Sequence, residues 1–196
     1  MTEQLLAMEP RAAAARAAAT HVDETVRAAA AMAQRFRSGG TLIVFGGGTL
    51  AADAQHVAVE FVHPVIVGKR ALPAVALTTD VATLTAVTAD EGYDSAFSHR
   101  LRLVAGPDDI ALGLSTGADG DAAEHALAAA RQLGLLTIGI VGAGPIRPET
   151  VDYLLPVDTV DPRIAKEVMV TYYHVLWELV HVYLERDPVV PVGMRS

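Results

Sequence analysis

The chain has 196 residues, 52% of them hydrophobic, with no cysteine and a formal net charge of −8. That length suits one domain with a substantial core, the lack of cysteine excludes disulfides and thiolate zinc centres, and the acidic balance without a basic cluster argues against nucleic-acid binding. No run reaches the roughly 18 consecutive apolar residues of a membrane span, so the apolar surplus points to burial between subunits.

The first stretch, MTEQLLAMEPRAAAARAAAT, is Ala-rich and amphipathic and lacks a hydrophobic signal core, so a cytoplasmic protein is expected. Residues 10–36 predict one long helix, with Pro10 in its first turn and Ser38-Gly39-Gly40 ending it. TLIVF (residues 41–45) reads as a buried strand, and Gly46-Gly47-Gly48 turns the chain into a helix over residues 50–62. AVALTT (74–79) predicts a second strand, followed by helical segments broken around Gly92. DIALGLS (109–115) predicts a third strand, followed by the helix AAEHALAAARQLG. LTIGIVG (136–142) and YLLPV (153–157) complete five strands, and a helix over residues 162–186 closes the domain. DPVVPVGMRS reads as a frayed tail, or as one resting on a neighbour. Apolar strands joined by helical crossovers imply an α/β fold with a parallel sheet covered on both faces.

In such sheets ligands sit beyond the carboxyl ends of the strands, and two loops have that placement: residues 46–50 and residues 115–121. Amides at helix N-termini suit anions, so either loop is a candidate phosphate cradle. Gly46, Gly48 and Ala51 also fit G-x-G-x-x-A, the dinucleotide pattern, but its acidic partner belongs about 20 residues on, and Asp80 lies well past that spacing. A tight strand-to-helix turn accounts equally for the glycines.

His56 and Glu60 stand four apart, on one face of a helix that starts at the glycine loop. The spacing recurs in His174 and Glu178, with Glu167 on the same face as His174. Such pairs are ordinarily surface features, and Tyr172, Tyr173 and Trp177 beside His174 suit a packed interface equally well. Position at the ligand end of the sheet is what raises His56 and Glu60 to candidates.

Taken together, the segments resemble the sugar isomerase (SIS) domain family, and more closely its phosphoheptose isomerases, over residues 41–185. The resemblance rests on AADAQH (51–56) with Glu60, ALPAVALTTD (71–80), the A-D-x-G-Y-D stretch (89–94), GLST (113–116), and His174 followed by Leu176, Glu178 and Leu179. It implies one SIS domain over residues 41–186: a five-stranded parallel sheet in three α/β/α layers, flavodoxin-like. Residues 1–40 would form a helical segment in the core of a homotetramer with sites between subunits, and residues 187–196 a tail. It further implies conversion of a ketose phosphate to an aldose phosphate through an enediol, here sedoheptulose 7-phosphate and a heptose 7-phosphate. Glu60 and His174 take the catalytic base and acid positions. His56, Glu60 and His174 match zinc ligands, with a Gln as the fourth. Gly46, Gly47, Gly48, Thr49, Asp90, Ser115, Thr116, Asp119 and Lys166 fall at substrate-binding positions.

Departures from the family pattern cluster. The Gln falls on Lys166 when anchored on His174, or on Ala165 when anchored on Arg163-Ile164. Lys166 would bring positive charge toward a metal and must be neutral to coordinate it, or else it replaces the metal and pairs with Glu60 as a fixed cation. G-N-G-G-S becomes Gly46-Gly47-Gly48-Thr49-Leu50, and S-T-S-G-N-S becomes Ser115-Thr116-Gly117-Ala118-Asp119-Gly120. Asp119 and Asp121 bring negative charge to a phosphate loop, or serve as helix caps. The alternative expectation is therefore a catalytically silent SIS module, binding a sugar derivative or a protein partner in a regulatory, assembly or accessory role.

Overall fold

The computed structural model describes residues 2–116, 121–142 and 146–186. The N-terminal segment is two helices, α1 (Thr2–Ala19) and α2 (Val22–Arg37), where the sequence predicted one over residues 10–36. The break has a local cause. The Thr20 hydroxyl donates to the Ala17 carbonyl at 2.7 Å, and the Thr20 and His21 amides bond three residues back, which tightens the last turn of α1 and ends it. Pro10 consequently stands inside α1 and not in a first turn.

The five strands are β1 (Leu42–Gly46), β2 (Ala74–Ala76), β3 (Ile110–Ser115), β4 (Leu136–Val141) and β5 (Tyr153–Pro156), all parallel in the order β2-β1-β3-β4-β5. β2 stops three residues short of the expected strand: the Thr79 hydroxyl turns back onto the Ala76 carbonyl and that of Thr78 onto the Ala51 carbonyl of the preceding helix. Helix α3 (Leu50–Val62) follows β1. Helices α4 (Val81–Glu91) and α5 (Ala96–Val104), separated at Gly92, cross from β2 to β3. Helix α6 (Ala122–Gln132) joins β3 to β4, and α7 (Pro162–Arg186) ends the described chain.

Alternation along the strands divides the core into two layers. Leu42, Val44, Leu112, Ile138 and Ile140 pack with α2, α3 and α7, whereas Ile43, Phe45 and Ala111 pack with α5 and α6. Among the described residues, no helix is long and apolar enough to cross a membrane. The chain leaves β1 toward β2 on one side and returns through β3 on the other, so the sheet's topological switch point lies between β1 and β3. Their ends are level, with Gly46 paired to Leu114, so the chain leaves β1 and β3 side by side.

Candidate active site

Two helices of the same layer, α3 and α7, cross beside the switch point and bring His56, Glu60 and His174 together. One ligand atom from each lies within 4.8 Å of the others. His56 Nε2 stands 3.2 Å from Glu60 Oε1, the contact expected from their four-residue spacing. The His56 and His174 rings meet edge to face at 5.4 Å between centroids. All three side chains are half-buried: they are held by packing, yet open enough to be reached by a ligand. Neither acid expected beside His174 joins them. Glu178 is exposed, and Glu167 pairs with Arg11 of α1 at 2.8 Å.

Two residues beyond the sequence reading complete this seam. The hydroxyl of Tyr173, buried at 1% exposure, lies 2.8 Å from His56 Nδ1. Burial first, and then the charges of Asp53 and Glu60, push the Tyr173 phenol well above its usual range and keep it protonated. Asp53, one turn before His56 on α3, is buried and receives the Lys166 ammonium at 2.8 Å. Lys166 also donates to the Thr49 carbonyl at 3.0 Å. The sequence expectation of a Lys166–Glu60 pair is thus corrected: Lys166 sits two turns below His174 on α7, level with the start of α3, where Asp53 is the acid in reach. AADAQH contained Asp53, but its role was hidden because its partner lies more than a hundred residues away. Tyr173 was hidden because one aromatic among several on a helix face reads as packing.

The glycine loop after β1, the candidate phosphate cradle, is shaped by its backbone. A Cβ on Gly46 would stand 3.0 Å from Leu50 Cβ and 3.1 Å from Leu114 Cβ, so the close approach of loop and strand requires glycine. Gly48 has φ +54°, which shapes the turn into α3. Leu50, where the family pattern has Ser, points inward and is fully buried. Thr49 is exposed and makes no side-chain cap bond, which leaves its hydroxyl at the loop mouth. In the adjoining loop Ser115 is buried and Thr116 half-buried, while Asp119 lies outside the described residues. Asp121 stands at the N-cap of α6 without a side-chain cap bond, so the capping role weighed for it is not taken up. Asp90 is exposed at the far end of α4, which packs on α5 in the opposite layer from α7. Asp80, the acid tested for a dinucleotide site, caps α4 through the Thr83 amide and hydroxyl.

An apolar cavity of about 340 Å³ opens between α1, α2 and α7, lined by Ala15, Ala18, Val22, Val168, Tyr172 and Val175 among others. It holds no acid or base, which sets it apart from the chemistry.

The SIS domain family model matches residues 9–142. The phosphoheptose isomerase of Solidesulfovibrio magneticus is 39% identical over 176 residues, covering 90% of this chain and 86% of that protein. The phosphoheptose isomerase of Synechocystis sp. is 42% identical over 144 residues, covering 72% and 74%. Among solved structures, a phosphoheptose isomerase from Francisella tularensis superposes with a TM-score of 0.83 at 26% identity, over 92% of this chain and 97% of that one. One from Neisseria gonorrhoeae gives 0.81 at 30% identity, over 91% and 97%.

Proposed function

The chain belongs to the SIS domain family and groups with its phosphoheptose isomerases, and on that premise we propose that it interconverts sedoheptulose 7-phosphate and a heptose 7-phosphate. The observation that carries this reading is the convergence of His56, Glu60 and His174 beside the switch point. Glu60, as carboxylate, takes the proton from the carbon next to the carbonyl, giving an enediol, and returns it to the neighbouring carbon. His174 donates to the carbonyl oxygen and takes the proton from the hydroxyl that becomes the new carbonyl. His56, through Nε2–H, orients the Glu60 carboxylate. The phosphate is held by the loop backbone of Gly46, Gly47 and Gly48 and by the hydroxyls of Thr49, Ser115 and Thr116, with Lys166 securing the first loop through Thr49.

The donor set fits a divalent cation such as zinc. Two imidazoles and one carboxylate leave a coordination position open, and the 3.2 Å between His56 Nε2 and Glu60 Oε1 is close to the roughly 3.4 Å between two ligands of a tetrahedral ion. His56, Glu60 and His174 would hold it, and when bound it polarises the substrate carbonyl and offsets enediolate charge. Lys166, neutralised by Asp53, is not among its ligands.

Assembly belongs to the same proposal. The apolar cavity between α1, α2 and α7 supports a homotetramer in which residues 1–40 build the core around a domain over residues 41–186, and in which Asp90 reaches a neighbouring subunit's site. Ala15→Asp, which puts a charge into that cavity, is expected to give smaller particles by light scattering and to lose turnover with them. A sugar-phosphate substrate supports a cytoplasmic location.

The inward turn of Leu50 favours one second reading, a silent SIS module that binds a sugar derivative or a protein partner. Turnover of sedoheptulose 7-phosphate by the purified protein, with and without zinc and against Glu60→Gln, separates the two. Turnover lost in Glu60→Gln is expected; a folded wild-type protein without turnover would overthrow the isomerase reading.

A further inference from the structure

We infer that Tyr173 is the positioning residue of this site, its hydroxyl holding the His56 ring so that Nε2 faces Glu60 both without and with a bound cation. The inference rests on the reading of His56 and Glu60 as site residues.

The argument begins with hydrogen-bond arithmetic. The Glu60 carboxylate only accepts, and its Oε1 is 3.2 Å from His56 Nε2, so that nitrogen carries the proton. A neutral imidazole has one N–H, which leaves Nδ1 as an acceptor. The group facing Nδ1 is the Tyr173 hydroxyl at 2.8 Å, a phenol with one proton to donate. The chain of donors therefore runs in one direction, from Tyr173 to His56 to Glu60. A cation held by the triad needs the Nε2 lone pair, and the ring must then carry its proton on Nδ1. A hydroxyl accepts as well as donates, so the Tyr173–His56 bond reverses by rotation of the hydroxyl hydrogen, with no heavy atom moving. A backbone N–H or an ammonium in that place could serve only one of the two states.

Tyr173 is fixed well enough for this role. It is 1% exposed, its ring meets both site histidines edge to face, at 5.3 Å from His56 and 5.0 Å from His174, and it cannot swing out to water. The preceding residue supplies an internal comparison. Tyr172 is also buried, but its hydroxyl bonds the Ala18 and Pro156 carbonyls and ties α7 to α1 and β5. Adjacent tyrosines on one helix thus divide their work between site and scaffold.

The test compares Tyr173→Phe with Tyr172→Phe. Nitrogen NMR of the metal-free wild type, at a pH above the ordinary imidazole range, is expected to report His56 as the Nε2–H tautomer, and Tyr173→Phe to shift and broaden its ring signals as the ring loses its fixed position. Zinc affinity measured by chelator competition should fall about 10- to 100-fold in Tyr173→Phe and hold within about twofold in Tyr172→Phe. In turnover, Tyr173→Phe should lower kcat by about tenfold with little change in KM, since the phosphate loops are untouched. An Nδ1–H tautomer in the wild type, or a Tyr173→Phe protein with wild-type His56 signals and zinc affinity, would overturn the inference. The NMR and zinc readouts need no substrate. A chain without isomerase activity would therefore fail the functional reading alone, and if no zinc binds, the tautomer decides.

Discussion

At the helix end of the candidate site, α3 and α7 carry His56, Glu60, Tyr173 and His174 in mutual contact, each side chain fixed by its neighbours. At the loop end, Gly46–Thr49 shapes a turn from backbone, its following Leu50 is turned into the core, and Thr49 alone extends a hydroxyl from that turn. The helix end depends on side-chain identity, because proton transfer needs a particular group at a particular atom. On the proposed reading the loop end depends on backbone amides, where side chains are more freely exchanged without losing an anion site. Between them stands the Lys166–Asp53 pair, which joins α7 to α3 and, through the Thr49 carbonyl, to the loop.

That contrast is open to test by substitution. Loss at the helix end should be largest: Glu60→Gln and His174→Ala are each expected to cut kcat by about 10²- to 10⁴-fold, measured by steady-state turnover of sedoheptulose 7-phosphate. A loss confined to KM would break the comparison, since it would make them binding groups. Next comes the pair that joins the two ends. Lys166→Met leaves the Asp53 carboxylate buried without its cation and should lower unfolding free energy by about 2 kcal/mol, less than for a fully buried pair because Lys166 is partly exposed. Adding Asp53→Asn should restore most of it in a denaturant double-mutant cycle. At the loop end, Thr49→Val should raise KM by about fivefold, the worth of one hydrogen bond to the phosphate, and leave kcat unchanged.

The smallest effect concerns scaffold alone. Burial, and then the charge of Asp158, pushes the Tyr172 phenol up to about 12. A folded-state value above the usual one near 10 means stability is whole below that value and is lost as pH rises from about 10 toward 12. Tyr172→Phe should flatten that alkaline decline in thermal melts, lose about 1 kcal/mol near neutral pH from its two carbonyl bonds, and leave turnover intact.

Much of this was legible in the chain. β-branched runs bounded by glycine marked the strands, and apolar stretches without alternation marked a sheet buried on both faces, as the fully buried β1, β3 and β4 are. The helix over Leu50–Val62 and the closing helix over Pro162–Arg186 have the bounds that their sequence signals suggest. The His56–Glu60 contact follows from helical spacing. The division of the N-terminal segment did not follow, because a threonine hydroxyl competing for a backbone carbonyl leaves hardly a mark on helix propensity.

What the sequence determined by itself was local: the order of elements, the glycine turn, and pairs a helical turn apart, all set by spacings that a few dihedral angles impose. Tertiary structure alone decided which distant groups meet. The crossing of α3 and α7 gave Lys166 to Asp53 and not to Glu60, and set Tyr173 against His56, 117 positions earlier in the chain. Such choices depend on where two helices pack on one face of a sheet, to within an ångström, and no spacing along a single helix encodes that distance.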